Sequence, residues 1–559
     1  MYKIKCLEGS NLPKLTDNLK VEDAFFALRP VFFEELDLLG FDKKWIYPKS
    51  EAPLLWASGR RYFYKGCYVA EVSGGDIFTA PVVNIFHEGT LKPINIEELA
   101  NQNLKQLLIL ENEAKLFVNN VYKNRDDTSF LTVSFSGGKD SQAVLDLVMQ
   151  VVPPEDFVVV YNDTGMEMPY VSELIEQSIR NYSELGSPLK FIVSNTDKDI
   201  LQLWNNFGPP TRKHRWCCTV CKTAPFVNLI NTLNVGNGLV INFAGIRSEE
   251  SATRKSYERI NIIGKHRNVS SIHPIFNWSS FEVYLYLMYK GIRLNKGYRY
   301  GLSRVGCSVC PFSSPLSEYI NYKLYPTRMG KLLNVIKASL LKGRVKESEI
   351  DNYLQEKNWA KIIRSESITD FSSKYMLQIQ SSDCVVTTNI TAKQIFFGFS
   401  ILSNFRMKAH NESYQMEFIC NNTIVYTEIA KEHDMYVLVF KNIGSSPTII
   451  GVIKRILNRL VYCVGCRGCE VECPTGALSM VNQTVDLNIC SHCLKCLTAF
   501  DYGCLNANYR INIKGESQVN SIGALNRYWG FGIRNEWLYG FFIDHDSWMT
   551  NNTLGEIQY

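Results

Sequence analysis

Between about residues 128 and 320 the chain alternates short apolar runs with amphipathic stretches. The runs at 131–135, 157–161, 191–194 and 239–244 are too short for helices and rich in Val, Ile, Leu and Phe. Strands alternating with helical segments predict an α/β domain built on a parallel sheet with helices on both faces. Upstream, aromatic and β-branched runs such as Arg61-Tyr62-Phe63-Tyr64, broken by Gly74-Gly75, predict a small mixed or β-rich module. Leu104, Leu107, Leu108, Leu110, Leu116 and Phe117 recur at helical spacing and predict a connecting helix. Another β-containing module, without assignable chemistry, is expected before a cysteine-rich segment. The resulting divisions are 1–105, 106–365, 366–458, 459–512 and a tail, 513–559.

Length agrees with this partition, since 559 residues exceed one core and suggest about three or four domains. With 46% hydrophobic and 21% charged residues the composition is that of a globular protein. No run approaches the ~18 apolar residues of a membrane span, and the first residues lack the apolar core of a signal peptide. A cytoplasmic protein with no membrane partner is expected.

Charge changes the picture locally. The net charge is +5, yet from 293 to 346 the basic residues Arg293, Lys296, Arg299, Arg304, Lys323, Arg328, Lys331, Lys337, Lys342, Arg344 and Lys346 face only Glu318. Arg212, Lys213 and Arg215 form a second knot. Such stretches suit a polyanion or a phosphate-bearing substrate, or else a solvated helix face.

Of 17 cysteines, 13 fall in two regions at metal-ligand spacing, which in a chain of this size points to metal rather than disulfides. Cys6, Cys67, Cys384 and Cys420 are scattered and expected to be buried thiols.

The first apolar run is followed by Ser136-Gly137-Gly138-Lys139-Asp140-Ser141 and a helical stretch, 142–150. Two glycines at a helix N-terminus let backbone N–H groups close on an anion; Lys139 can neutralise phosphate, and Ser136 and Ser141 add hydroxyls. The spacing is too short for a Walker loop. It resembles the PP-loop of the adenine nucleotide alpha-hydrolase superfamily, which cleaves ATP between the α and β phosphates. Asn162-Asp163-Thr164-Gly165, Gly245-Ile246-Arg247 with Arg254, and His273-Pro274 follow at later strand ends, where open α/β sheets bind ligands. In this order they resemble the PAPS reductase family over roughly residues 128–315. The resemblance implies that Asp163, Thr164 and Gly165 line the nucleotide site. It also implies that Arg247 and Arg254 grip a phosphate or sulfate.

Cys217-Cys218 with Cys307-x-x-Cys310 resembles the ligand set by which APS reductases hold a [4Fe–4S] cluster. Cys218-x-x-Cys221 with Cys307-x-x-Cys310 equally reads as a zinc site. If Cys221 is not a ligand, it is a candidate sulfur carrier, its pKa expected to be lowered by Arg215 and Lys222. The Glu-Cys-Gly-(Ile/Leu)-His segment of sulfonucleotide reductases is not found.

Cys463, Cys466, Cys469 and Cys473 (C-x2-C-x2-C-x3-C, then Pro474), with Cys490, Cys493, Cys496 and Cys504, match a bacterial two-cluster ferredoxin. In that pattern Cys504 completes the cluster of Cys463, Cys466 and Cys469, while Cys473 completes that of Cys490, Cys493 and Cys496. The tail around Trp529 and Trp537 resembles the start of a domain associated with PAPS reductase-like proteins of DNA-modification loci.

Together these features predict an ATP pyrophosphatase that acts in sulfur transfer with ATP, Mg²⁺ and [4Fe–4S] clusters. The nearest resemblance is to the sulfur-incorporating enzyme of DNA phosphorothioation, which implies DNA, a cysteine desulfurase or other sulfur donor, and an electron donor as partners. The alternatives are a sulfonucleotide reductase fed by its own ferredoxin module, a tRNA thiolation enzyme, and a non-catalytic electron- or sulfur-transfer scaffold.

Overall fold

The computed structural model describes residues 2–6, 8–17, 27–184, 186–212, 214–233, 238–262, 269–342, 345–361, 375–410 and 413–511. The tail 513–559, with Trp529 and Trp537, lies outside the described residues, as do Lys213 and Arg344. The chain divides into two compact units, Met1–Ala338 with Val345–Ile363, and Ser339–Arg344 with Arg364–Tyr559.

After a short antiparallel pair, Lys3–Lys5 with Lys14–Thr16, the first unit holds an antiparallel meander of five strands, β1 (Leu28–Val31), β2 (Leu55–Ser58), β3 (Arg61–Tyr64), β4 (Cys67–Gly74) and β5 (Pro81–Ile85). Helix α1 (Phe33–Leu39) follows β1, and Leu36, Phe41, Trp45 and Tyr62 pack in the module's core. That core also encloses charge. Arg29 holds both oxygens of Glu35 in a fork at 2.5 and 2.7 Å, and Tyr62 donates to the same carboxylate at 2.6 Å.

Helix α2 (Ile96–Lys123) is capped by Asn95, which accepts from the N–H groups of Glu97 and Glu98. The expected boundary between 105 and 106 thus falls inside a continuous helix, and the meander clusters with the α/β domain rather than apart from it. Asn103 of α2 donates to Pro13 O, Tyr2 N–H reaches Glu282, and Arg299 binds Glu34 at 2.6 Å.

The α/β domain contains β6 (Phe130–Ser134), α3 (Lys139–Met149), β7 (Phe157–Asp163), β8 (Lys190–Asn195), β9 (Val240–Phe243), β10 (Ile260–Asn261), β11 (Val269–Ile272) and α4 (Ser280–Tyr289). The sheet order is β8-β7-β6-β9-β11-β10; all neighbours are parallel except β10, which runs antiparallel to β11 at the edge. The central strands are buried continuously rather than alternately, as expected where helices cover both faces. The four expected strands are present within one or two residues of their expected ends. β10 and β11 escaped the sequence because they are short and β11 carries two serines.

In the second unit, β12 (Tyr375–Gln380), β13 (Asp383–Thr388), β14 (Ser403–His410), β15 (Ser413–Cys420), β16 (Thr423–Glu432) and β17 (Met435–Phe440) form one antiparallel sheet, ordered β12-β13-β17-β16-β15-β14. Burial alternates, with Val425, Thr427 and Ile429 of β16 inward. Helices α5 (Ala392–Phe399) and α6 (Pro447–Tyr462) also belong to this unit. Ile449, Val452, Ile453, Ile456 and Leu457 form the buried stripe of α6. The expected boundary between 458 and 459 lies inside α6, whose last residue, Tyr462, delivers the chain directly to Cys463.

Removing one partner of a buried ion pair strands the other charge, at a cost of about 3–5 kcal/mol. Glu35→Ala is expected to lower the stability of the first unit by that amount in denaturant unfolding of the full chain. An unchanged midpoint would show that the pair is dispensable.

Candidate nucleotide and thiol site

The turn after β6 is shaped by Gly137, whose φ of +68° lies in the left-handed region, and by the extended Gly138 at the N-cap of α3. Lys139, Asp140 and Ser141 form the first helical turn rather than a loop, so their N–H groups belong to the positive end of the helix. Ser141 Oγ donates to Gly138 O at 2.8 Å and accepts the Ser136 N–H at 3.2 Å, drawing the turn closed. The Lys139 N–H donates to the Tyr298 hydroxyl at 3.1 Å, and Asn295 binds Gly137 O at 3.1 Å. Gly245, after β9, packs against this turn. A Cβ there would stand 2.7 Å from the carbonyl carbon of Asp140.

A chain of charges crosses the turn. Lys139 Nζ binds Asp140 at 2.7 Å; Asp140 accepts from Arg247 Nε at 2.6 Å; Arg247 Nη1 reaches Glu249 at 2.7 Å and Trp278 O at 3.2 Å. Burial is the largest influence on Lys139 and holds its ammonium below the ordinary lysine value against the pull of Asp140. Burial also opposes ionisation of Asp140, but Lys139 and Arg247 outweigh it and keep the carboxylate below its usual range. Lys139 lies near the rings of Tyr284 and Tyr298, at 5.5 and 5.9 Å.

At the end of β7, Asp163 Oδ1 accepts the Gly165 N–H at 2.8 Å. Thr164 binds buried Glu167 through its N–H (3.0 Å) and hydroxyl (2.7 Å). The same hydroxyl lies 3.9 Å from Cys307 Sγ. Ser308 donates twice to Met166 O, each at 2.7 Å, pinning the Cys307 segment onto this strand end.

Cys217 and Cys218 lie on the short helix Trp216–Cys218, which runs into a wide turn, Thr219–Thr223, holding Cys221. Five thiols share this region: Cys217 feels Cys218, Cys307 and Cys221, and Cys307 feels Cys310. The hydrogen bond that Cys217 donates to Cys218, then burial, holds Cys217 well above the ordinary thiol value. The same bond and Arg215, at 3.7 Å, bring Cys218 down to about 5. Burial raises Cys307 to about 11. Crowded thiols of this kind suit a cationic centre, and a four-thiolate donor set serves a zinc ion or an iron–sulfur cluster alike. Among the described residues, no three His, Cys, Asp or Glu side chains are gathered so as to hold a single metal ion.

The second unit carries the other eight cysteines. Cys463, Cys466, Cys469 and Cys504 line one pocket with Arg459, Arg467, Met480 and Phe500. Cys490 and Cys496 both feel Cys473 and Cys493. Cys463, Cys466, Cys469 and Cys504 thus share one pocket, while Cys473, Cys490, Cys493 and Cys496 lie near enough to influence one another. In each run the residue after the second cysteine is left-handed (Arg467, φ 58°; Leu494, φ 57°) and starts a short helix containing the third. Burial would raise Cys473, but N–H groups of Leu478, Thr475 and Ala477 outweigh it and hold the thiol below its ordinary value. N–H groups also meet Cys466, Cys490 and Cys504. Sulfurs ringed by backbone donors fit iron–sulfur ligation.

Residues 131–313 match the family model of the phosphoadenosine phosphosulfate (PAPS) reductase domain. This segment is similar to a PAPS reductase domain. Two uncharacterized proteins of Methanocaldococcus jannaschii are similar to the chain, at 34% identity over 204 residues and 28% over 277, covering 36% and 49% of this chain. The chain spans only 40% and 63% of their lengths. An adenosine 5'-phosphosulfate reductase of Geobacillus kaustophilus is 25% identical over 189 residues, 34% of this chain and 75% of that protein. Among solved structures, the PAPS reductase of Candida auris in its phosphate complex covers 36% of this chain and 94% of its own, at 14% identity and a TM-score of 0.28.

In the first unit three expectations change. Arg247 and Arg254 are not bare anion grips: Arg247 is committed to Asp140 and Glu249, and Arg254 to Glu250. Arg247 thus braces the phosphate turn. Cys221 is not activated, because burial pushes it up to about 12 despite Lys222. Three residues of the basic stretch are paired with acids: Arg299 with Glu34 and Glu51, Lys296 with Glu173, and Lys337 with Asp351. Arg304, Arg328 and Lys331 stay exposed, and Arg328 reaches Gly165 O at 3.2 Å. Sequence reasoning missed Tyr298, Asn295 and Tyr284, and gave Glu167 no role. Tyr298 acts on a residue 159 positions away, and no local pattern marks it.

No helix among the described residues is long and apolar enough to cross a membrane. Gly245→Ala is expected to displace the first turn of α3 and weaken adenine nucleotide binding at least tenfold by calorimetry. Near-normal affinity would mean that the Gly245–Asp140 approach does not shape the site.

Proposed function

We propose that the PAPS reductase-like domain binds ATP and splits it between the α and β phosphates, activating an acceptor oxygen for replacement by sulfur. The observation carrying this reading is the shared ground of phosphate turn and thiols. Thr164 sits between Asp163 and Gly165 at the strand end beside the PP-loop strand, and its hydroxyl touches Cys307. An N–H-rich helix end with a buried lysine stabilises the pyrophosphate that departs; Mg²⁺ accompanies the triphosphate as part of the substrate. Lys139 loses solvation on burial, which raises the value of a polyanion as its partner. Asp140 and Arg247 hold Lys139 and the turn in register.

The acceptor in this reading is a DNA phosphate, approached through exposed Arg304, Arg328 and Lys331, with a cysteine desulfurase or other donor loading sulfur. Cys217, Cys218, Cys307 and Cys310 would hold one [4Fe–4S] cluster. The two sets in the second unit would hold a ferredoxin-type pair, which supplies single electrons when bound. A second reading, reduction of a sulfonucleotide with those electrons, is favoured by the similarity to adenosine 5'-phosphosulfate reductases.

Anaerobically purified full-length protein is expected to release AMP and pyrophosphate from ATP in the presence of DNA and a sulfur donor. Lys139→Met should reduce this at least ~100-fold. Dependence on tRNA instead of DNA would move the acceptor. Sulfite formed from APS or PAPS, with no pyrophosphate from ATP, would overturn adenylation in favour of reduction.

A further inference from the structure

Arg459 sits in the last turn of α6, four residues before Cys463, and is only 1% exposed. Its Nη1 donates to Cys496 Sγ at 3.6 Å and its Nη2 to Gly398 O at 3.3 Å, while the guanidinium lies 5.7 Å from the ring of Phe397. The same side chain lines the pocket of Cys463, Cys466, Cys469 and Cys504. One arginine therefore donates to a cysteine of one crossed set and lines the pocket of the other.

Its surroundings leave that charge unbalanced. No acid among the described residues pairs with Arg459, and its Nε is buried without any hydrogen-bond partner. A guanidinium cannot shed its proton, and a buried cation without a counter-charge is among the costliest arrangements in a protein. A neutral thiol is a weak acceptor and no counter-charge. Four thiolates around an iron–sulfur core outweigh the core's positive charge, so an assembled cluster site is an anion.

We infer that Arg459 is the shared counter-ion of the two cluster sites in the second unit, and that it raises the reduction potential of both. The inference rests on the reading that these cysteines hold clusters. Reduction adds one electron, from an external low-potential donor, to a site that is already anionic, and no bond is made or broken. A fixed cation stabilises the reduced form more than the oxidised form, so the potential rises. A purely structural role, tying α6 to α5 through Gly398, predicts no such shift.

Iron analysis and redox titration followed by electron paramagnetic resonance, on the anaerobically purified full chain, test this. In Arg459→Met, with iron retained, both second-unit clusters should shift to lower potential. At a fixed potential their oxidised-to-reduced ratio should rise at least tenfold, equivalent to about 59 mV for a one-electron couple. Arg459→Lys, which keeps the charge, should stay close to wild type. Unchanged potentials in Arg459→Met, or a shift in only one cluster, would overturn the inference while leaving the cluster reading intact. If Arg459→Met loses cluster iron, retention of iron and potentials in Arg459→Lys supports the counter-ion role, and loss in both variants overturns it. Wild-type protein lacking iron at these cysteines would overturn the cluster reading itself, and the inference with it.

Discussion

The Asp140 carboxylate is the point on which the turn between β6 and α3 hangs. It sits in the first turn of α3, binds Lys139 from the same turn, and receives Arg247 from the loop after β9. Without it, Lys139 and Arg247 would be two buried cations facing each other. With it, the lysine is held at a helix N-terminus where a phosphate can be met by charge and N–H groups together. Gly245 makes the arrangement possible sterically, since any side chain there would collide with the Asp140 backbone.

The same economy governs the rest of the first unit. Lys296, Arg299 and Lys337, which follow α4 in sequence, are spent on acids brought in by the N-terminal module and by neighbouring helices. The N-terminal module thus neutralises Arg299 and braces the segment that carries Tyr298 to the phosphate turn. Its role in the domain is structural and electrostatic, and the continuous α2 makes the two parts fold as one unit.

In the second unit the relation between sheet and cysteines is similar. α6 packs its apolar stripe in the antiparallel module and then ends at the first cysteine of the ferredoxin-like run. Gly398 is kept small by the approach of Ile456 and Leu460, and its carbonyl receives Arg459. His492 contacts Ile401 O at 3.0 Å, a further tie between the two parts. The β module, which carries no chemistry of its own in the sequence, holds the helix that positions the cysteine pocket.

Local pattern was enough for much of this protein. Alternating apolar runs give the parallel sheet, because buried strands between helices need continuous Val, Ile and Phe. Ser136–Ser141 marks a glycine turn at a helix N-terminus, and cysteine spacing marks two clusters of thiols, because residues close in sequence lie close in space. What the sequence could not reveal is which charges are free. Arg247, Arg254 and Arg299 look available in a linear reading, yet each is claimed by a carboxylate, two of them through neighbours only the fold creates. Cys221 looks activated beside Lys222, yet burial, a property of the whole domain, sets its protonation the other way. Tyr298, Glu167 and Arg459 carry no motif at all. Their importance comes from desolvation and from contacts across long stretches of chain, and both exist only once the core has closed.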